Sequence, residues 1–274
     1  MHELALEQRL ELGVRAPWHV GDVTWGLRQH EGREDEWTIR VWREEDGRVA
    51  AWSWLKGDRA LLEFDVRRDR LDLLDEILAD PAARTAVCFE DDDEVRDALE
   101  RHGFARPPDV DVNRQGGPMH YYALDLADAP EPPPLPEGFR YRTVEDADLA
   151  ERVAIHREVW APSRVTESSF ANVRASWPYR GSLDCVVEAP DGRLAAYCLV
   201  WPDDENGVGE LEPVGTREEF RRRGLGFAVC AFALRRWQEE GGREAIVYCV
   251  TDAACGLYES LGFRRHATLA GYSR

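Results

Sequence analysis

The sequence predicts an α/β fold made of two similar domains in tandem, each a mixed, mostly antiparallel sheet flanked by helices. Three observations carry this prediction: short segments occur twice, a proline-rich segment separates the two occurrences, and strands in the second half first follow one another and then alternate with helices. Successive strands pair antiparallel, whereas strands joined through helices pair parallel. The order therefore predicts a mixed sheet with helices on both faces.

Two pairs of segments repeat. Residues 46–52 (DGRVAAW) match residues 191–197 (DGRLAAY), and each predicts a hairpin turn that leads into an apolar strand. Residues 98–104 (ALERHGF) match residues 257–263 (LYESLGF), and each predicts a helix end stopped by glycine. Duplication of one α/β unit is the simplest explanation.

The proline-rich segment at 125–138 holds five prolines in fourteen residues, which excludes a helix interior or a central strand. We interpret it as a semi-rigid linker. The predicted domains are residues 1–124 and residues 139–274, and each is long enough to bury its own core.

The second half has the clearer pattern of secondary structure, and Thr143 followed by Asp146 predicts a cap for its first helix. The predicted elements are strand 140–144, helix 146–160, helix 167–176, strands 185–189, 193–201 and 209–216, helix 224–240, strand 245–250, helix 252–261 and strand 264–272.

The net charge of −18 argues against nucleic-acid binding, and the longest apolar run, 227–234, is too short to span a bilayer. Six cysteines without a Cys-x-x-Cys pair indicate buried thiols in a reducing compartment, and the histidines show no metal-ligand spacing. We expect a cytoplasmic bacterial protein, monomer or homodimer, with no nucleic acid, membrane or metal partner. The acidity either solvates the surface or attracts a cationic substrate such as an amine.

Residues 221–226 (RRRGLG) combine three arginines with two glycines just before a helix-favouring run that starts at Phe227. Gly224 and Gly226 have no Cβ, so the backbone can turn tightly and bring its N–H groups against phosphate oxygens. The helix N-terminus behind them also favours negative charge. This segment therefore predicts a pyrophosphate site.

The two halves differ in the interval that holds this loop. From Gly47 to Gly103 is 56 residues, whereas from Gly192 to Gly262 is 70, so the first copy lacks 14 residues. No glycine lies between Gly57 and Gly103. We therefore expect the first half to keep the fold and to lack the phosphate site.

Four consecutive features resemble the GNAT superfamily of acyl-CoA-dependent N-acetyltransferases. They are a strand, the pattern Arg221-x-x-Gly224-x-Gly226 that opens a helix, a further strand, and a short helix that ends in residues 257–263. The resemblance covers residues 137–274 closely and residues 1–124 faintly. The whole chain resembles the tandem-domain members, with an architecture similar to mycothiol synthase. A Rossmann site is excluded because Val229 stands where its third glycine is required and no βαβ unit opens the domain.

The resemblance implies that acetyl-CoA is the cofactor. The glycine loop would hold its pyrophosphate through backbone amides, and the strand before the loop would pair with the pantetheine arm next to a bulge at Pro213. Thr251 and Asp252 stand where the family often has an Asn. The implied cofactor residues are Val214, Gly215, Thr216, Arg221, Arg222, Arg223, Gly224, Leu225, Gly226, Phe227, Thr251, Asp252 and Leu257.

Three side chains are candidates for catalysis. Tyr258 could protonate the departing thiolate, the alternative being an aromatic packed in the core. Glu210 and Glu212 lie two apart on a predicted strand and so share one face. Either could accept the proton of the attacking ammonium, with Glu212 nearer the cofactor, and the alternative is a solvated strand face. A backbone N–H near Val214 or Gly215 would meet the oxyanion.

Four residues around the first two helices of the second half, Trp160, Trp177, Tyr179 and Arg180, could line the site of an amine acceptor, although the aromatic ones suit a core equally. His156 is interpreted as structural. The predicted function is acetyl transfer from acetyl-CoA to the amine of a small molecule by direct attack, with the first half supporting the sheet or closing the acceptor pocket. A protein or peptide acceptor and a non-catalytic CoA-binding regulatory module are the alternatives.

Overall fold

The computed structural model describes residues 1–106 and 118–274, so residues 107–117 of the predicted first domain lie outside it. The helices are α1 (His2–Leu12), α2 (Val20–Arg28), α3 (Leu74–Leu78), α4 (Asp93–Arg101), α5 (Leu149–Val159), α6 (Glu167–Arg174), α7 (Leu225–Glu239) and α8 (Asp252–Ser260). The strands are β1 (Trp37–Arg43), β2 (Val49–Lys56), β3 (Leu61–Val66), β4 (Thr85–Phe89), β5 (Met119–Asp125), β6 (Arg140–Thr143), β7 (Asp184–Glu188), β8 (Leu194–Asp203), β9 (Val208–Thr216), β10 (Glu244–Cys249) and β11 (Arg264–Ser273).

The eleven strands of residues 1–106 and 118–274 form one sheet, in the order β1-β2-β3-β4-β11-β5-β10-β9-β8-β7-β6. The two halves exchange strands at its centre, since β5 pairs with β10 and β11, while β11 pairs with β4. Strand pairs are mostly antiparallel, and β3–β4 and β9–β10 are parallel. The predicted mixed sheet is confirmed, and it is continuous across both halves.

Helices cover both faces of the sheet, as predicted. Along β8 the side chains alternate, so that Cys198 and Val200 pack towards α7 while Leu199 and Trp201 pack towards α2, α5 and α6. All ten residues of β8 are buried, which places this strand at the centre of the second half. The prediction that Thr143 caps the first helix of this half is wrong. The capping box begins two residues later, at Glu145.

The repeated hairpins have the same turn. Arg48 donates its backbone N–H and its Nε–H to Asp46 at 3.0 and 2.8 Å, and Arg193 donates the same two groups to Asp191 at 3.1 and 2.8 Å. The glycine inside each turn has a positive φ, +88° in the first and +86° in the second. In each turn the aspartate accepts both N–H groups, and the glycine adopts the left-handed backbone conformation. These two roles explain why the same residues recur in both hairpins.

The repeated helix ends are also alike. Gly103 and Gly262 have φ of +80° and +96°, and the phenylalanine after each glycine donates its N–H to a carbonyl five residues earlier, that of Leu99 or Tyr258, at 3.0 and 3.1 Å. This is the Schellman arrangement of hydrogen bonds. It makes Leu99 the structural counterpart of Tyr258.

Within residues 1–106 and 118–274, no helix combines the length and the apolar character that crossing a bilayer requires. The six cysteines are free, and five of them are buried, with Cys255 partly exposed.

Candidate active site

The strands β9 and β10 separate at the centre of the sheet. They pair only as far as Ile246 opposite Glu210, although both strands continue. On the other side of β9 the register with β8 shifts, because Val200 faces Leu211 while Cys198 faces Val214. The extra residue is part of a bulge around Pro213, as the resemblance implied. Beyond it β9 is paired on one side only, so alternate amides face an open gap.

The glycine loop follows this gap and has the backbone of an anion site. Arg222 and Gly224 both adopt a positive φ, +63° and +77°. In the described part of the chain, the amides from Arg222 to Phe227 donate to no protein acceptor, and the helix α7 begins among them. Consecutive free N–H groups in such a turn form a concave anion-binding surface at the positive end of a helix dipole.

The three arginines of the loop are exposed and keep their charge available. The Nε of Arg221 donates to the Thr216 carbonyl at 3.2 Å, and the guanidinium of Arg223 lies 5.6 Å from the Phe220 ring centre. Among the residues that the structure describes, no carboxylate forms an ion pair with Arg221, Arg222 or Arg223. The loop therefore presents positive potential to solvent on an acidic protein.

Other predicted cofactor residues lie next to this loop. A Cβ on Gly226 would be 3.3 Å from Thr216 Oγ1 and 3.7 Å from Leu257 Cδ2, so the loop, the end of β9 and α8 meet at this point. A Cβ on Gly215 would come within 2.7 Å of the buried Tyr197 ring, which explains the glycine there.

The remaining predicted cofactor residues have mainly structural contacts. Leu225 is buried and Phe227 packs against the core of the second half. Thr251 caps α8, because its hydroxyl accepts the Ala254 N–H at 3.2 Å, and Asp252 is exposed.

Tyr258 lies on α8 and is 5% exposed. Its ring packs edge-on against Phe263 at 5.8 Å, and burial raises the pKa of the phenol well above its ordinary value, helped by the nearby thiols of Cys230 and Cys198. The hydroxyl therefore stays protonated at neutral pH and is able to donate a proton. Both the catalytic and the core interpretation fit this placement.

Glu210 and Glu212 share a face of β9, as predicted, but the alternative of a solvated strand face is wrong. They form a cluster with Asp22 of α2, and one oxygen from each of the three carboxyls lies within 4.8 Å of the others. Glu210 is buried, whereas Asp22 and Glu212 are partly accessible. We call these three residues the carboxylate triad. Such an oxygen set is also of the type that binds hard divalent cations.

The carboxylate triad holds protons at neutral pH. Burial raises the pKa of both Glu210 and Glu212 to about 8, with a further rise from Glu212 and Asp22 respectively. His19 Nδ1, 3.2 Å from Glu210, accepts the Gly21 N–H at 3.0 Å, and burial lowers the pKa of His19 to about 3. This imidazole is neutral and offers no compensating charge, so the carboxyls cannot all ionise together.

A cavity of ≈ 190 Å³ opens next to the carboxylate triad. Its floor is the sheet, from β3 through β4, β11, β5 and β10 to β9, and its roof is formed by α1, α2 and the segment between them. The lining includes Gln8, Trp18, Asp22, Trp25, Lys56, Glu63, Phe64, Asp65, Arg68, Phe89, Asp92, Tyr121, Glu212 and Tyr248. Both halves of the chain therefore build this cavity.

The four residues proposed to line an acceptor site are not among those that line this cavity. Trp160 and Trp177 are 42% and 55% exposed, Tyr179 packs on Trp201, and Arg180 pairs with Asp204 and Glu240. His156 is buried and bonds the Tyr197 hydroxyl at 3.2 Å, as its structural interpretation required.

Sequence reasoning missed Asp22. Its local role is that of a helix cap, since its carboxylate accepts the His19 N–H at 2.8 Å. A residue at the third position of a helix is often acidic for this reason, so the sequence carries no further signal. Only the tertiary fold brings Asp22 to strand β9.

Comparison with known proteins identifies the second half. Residues 151–263 match the model of the Acetyltransferase (GNAT) family. The second half of this chain therefore contains a domain similar to the GNAT family. A mycothiol acetyltransferase of Streptomyces avermitilis is 29% identical over 152 residues, 53% of this chain and 48% of that protein, and one of Kineococcus radiotolerans is 34% identical over 151 residues, 52% and 48% respectively. The chain thus spans about half the length of the curated relatives it matches.

Solved GNAT structures are similar over nearly the whole chain. A tandem GNAT protein from the clavulanic acid biosynthesis pathway has a TM-score of 0.67 at 17% identity and covers 98% of this chain and 94% of its own. A GCN5-related N-acetyltransferase from Sphaerobacter thermophilus has a TM-score of 0.64 at 19% identity and covers 99% and 92%. The fold of the first half is therefore included in the likeness.

Proposed function

We propose that the protein transfers the acetyl group of acetyl-CoA to the amine of a small molecule that binds in the cavity between α1, α2 and the sheet. The observation that carries this proposal is the position of Glu212. Its carboxyl borders the cavity, and its backbone lies at the bulge of β9, just past the last residue that pairs with β10. Glu212 thus stands between the acceptor space and the gap beside β9.

The residues fit coenzyme A in the second half. The free amides from Arg222 to Phe227 would hold its pyrophosphate, and the unpaired edge of β9 would hold the pantetheine arm. When bound, acetyl-CoA supplies an acyl carbon that is open to attack and a thiolate leaving group. Alternate β9 amides near Val214 and Gly215 face the gap and are the candidate donors for the developing oxyanion.

Glu212 would act as the general base. An amine is protonated at neutral pH and must lose a proton before its nitrogen can attack. A carboxyl with a pKa raised to about 8 is a stronger base than an ordinary glutamate, and it lies in the range where proton transfer at neutral pH is effective. The proton moves from the ammonium to the Glu212 carboxylate.

Tyr258 would act as the general acid. Its phenol keeps its proton at neutral pH because burial raises its pKa, and it lies in the same core cluster as Cys198 and Cys230. It can donate that proton to the departing sulfur. The products are then the amide and the free thiol. The second proton that the nitrogen loses on becoming an amide and the proton held by Glu212 pass to solvent, and the tyrosine regains one proton from solvent.

A small acceptor suits this site better than a protein segment. Asp22 and Glu212 of the carboxylate triad line the cavity under a roof of α1 and α2, and Glu210 beside them is only 1% exposed. A folded protein or an extended peptide needs an open groove instead. The mycothiol acetyltransferases among the relatives are named for a small-molecule product, which is consistent with this choice.

The test is Glu212→Gln, with Glu205→Gln on an exposed turn as the matched control. Thiol release from acetyl-CoA is measured against a panel of small amines. We expect kcat/KM to fall by about 100-fold or more in the first variant and to be unchanged in the control.

The pH profile gives a second readout. Because the raised pKa of Glu212 means that its ionised fraction grows as pH rises through about 8, wild-type kcat/KM should decline as pH is lowered below that value. The pH profile of Glu212→Gln should lack this decline and should show only the ionisation of the amine itself. If Glu212→Gln changed neither the pH profile nor the rate, Glu212 would not be the general base. If the wild type bound CoA but transferred acetyl to no amine, the regulatory CoA-binding module would be favoured.

A further inference from the structure

We propose that the acceptor carries a second cationic group, and that Asp65 binds this group in the first half while the reacting amine lies at the carboxylate triad. This inference rests on the proposed function for the reacting end, but the binding of the second group is a separate property. It makes Asp65 a specificity-determining residue and the acceptor a diamine or a related polycation.

Asp65 is a buried carboxylate with an unused oxygen. It lies on β3, is 2% exposed and lines the same cavity as Glu212. Its Oδ1 accepts a hydrogen bond from the Gln8 amide, whereas Oδ2 has no partner among the described residues. A buried carboxylate oxygen without a donor is costly, so a ligand donor at this position would be stabilising.

The other charges in the cavity lining are already compensated. Lys56 pairs with Glu63, and Arg68 forms a two-pronged ion pair with Asp92. These are the two cations of the lining, and neither pairs with Asp65. Among the described residues, the carboxyls of the lining that have no ion-pair partner are therefore Asp65 and two triad members, Asp22 and Glu212. Burial raises the pKa of all three, so they gain negative charge as pH rises, and the test below is done at pH 8.

Arg9 lies close to Asp65 and its charge lowers the pKa of that carboxyl, but the hydrogen bonds of Arg9 go elsewhere. It is buried, and its guanidinium donates to three backbone carbonyls, those of Gly13, Ala16 and Trp18, at 2.9 to 3.4 Å. Its hydrogen bonds serve the turn after α1. The Oδ2 atom of Asp65 therefore has no protein donor among the described residues, and a cationic group in the cavity would supply one.

The cavity is long enough for two charged groups. It runs along the sheet from β3 to β9, and its floor includes β4, β11, β5 and β10. Asp65 on β3 and Glu212 on β9 both line this one cavity, whose volume is ≈ 190 Å³. Between the two acidic ends the wall is aromatic, with Phe64, Phe89 and Tyr121, which suits an alkyl chain and favours a cation near the rings.

The experiment is calorimetric titration at pH 8 of α,ω-diamines from 1,4-diaminobutane to 1,10-diaminodecane, each compared with the monoamine of the same chain length. The proteins are the wild type, Asp65→Asn and the exposed control Asp97→Asn. Asn keeps the shape of the side chain and its bond from Gln8. Initial rates of acetyl transfer are measured on the same set.

We expect one or more diamines to bind the wild type about tenfold more tightly than the matched monoamine, as a charge-assisted hydrogen bond provides. Asp65→Asn should lose this advantage without weakening monoamine binding, and Asp97→Asn should keep it. Equal affinities for diamine and monoamine, or an advantage that survives Asp65→Asn, would overturn the proposal. Selective diamine binding without acetyl transfer would leave it standing and would contradict the proposed function.

Discussion

The two halves of this chain share their turns and differ at the positions where chemistry would occur. Both have the same aspartate-anchored hairpin and the same glycine-stopped helix end. At the helix end, however, the first half has Leu99 where the second has Tyr258. Leucine fills the core and has no proton to donate. The difference indicates that the repeated fold needs the turn residues, whereas a tyrosine at this position is not required for folding.

The loops that follow β3 and β9 can be aligned by one hydrogen bond. Arg67 donates its N–H to Ala50, and Arg217 donates to Ala195, both at 3.0 Å. Five of the fourteen residues missing from the first half therefore precede Arg67, and nine follow it. The helix after the loop has five residues in the first half and fifteen in the second. The missing segment is mostly helix.

The arginines of these loops also differ in their partners. Arg67 pairs with Asp69, Arg68 with Asp92, and Arg70 with Asp72 and Glu44. In the second half, the arginines of the glycine loop have no carboxylate partner within the described residues. A phosphate would have to displace those ion pairs in the first half, but not in the second. This difference is what we expect if the proposed cofactor site exists in the second half alone.

The largest effect should follow from making the second half resemble the first at the helix end. Tyr258→Phe removes the proposed proton donor and keeps the ring, so kcat should fall by about 100-fold or more with CoA affinity unchanged. Tyr141→Phe, in which the lost hydroxyl bonds only the Pro133 carbonyl, is the control and should keep full activity. The measurement is thiol release under saturating substrates, and an unchanged rate would place Tyr258 in the core alone.

A smaller effect should follow from removing the free charges. Changing Arg221, Arg222 and Arg223 to Gln, with both loop glycines retained, should weaken CoA binding on the order of tenfold at low salt and much less at high salt, because exposed charges are screened. Arg70→Gln, whose charge is already paired, should have no effect on CoA affinity. Equal weakening at every ionic strength would show that the backbone amides, and not the arginine charges, bind CoA.

Much of the fold could be predicted from the sequence because its signals are local. The hairpins, the helix ends and the glycine loop are each specified by a few adjacent residues, such as Gly192 or Gly262, whose backbone conformation demands them. The shared face of Glu210 and Glu212 followed from the two-residue period of a strand.

The rest depended on contacts between distant segments. Asp22 reaches β9 across almost two hundred residues, and nothing near it distinguishes it from an ordinary helix cap. The exchange of β5 and β11 between the halves has no local signal in the sequence either, because the pairing partners of a strand depend on the whole sheet. The predicted acceptor residues Trp160 and Trp177 were named from the second half alone, whereas the cavity is built by both.

The central claim is that the second half alone binds coenzyme A and the first half serves the acceptor. Calorimetric titration of the full chain with CoA tests it most directly. We expect one molecule bound per chain, with the single site weakened when the three loop arginines become Gln. Two molecules per chain of comparable affinity would contradict the account, because the first half would then bind the cofactor without a glycine loop or free arginines.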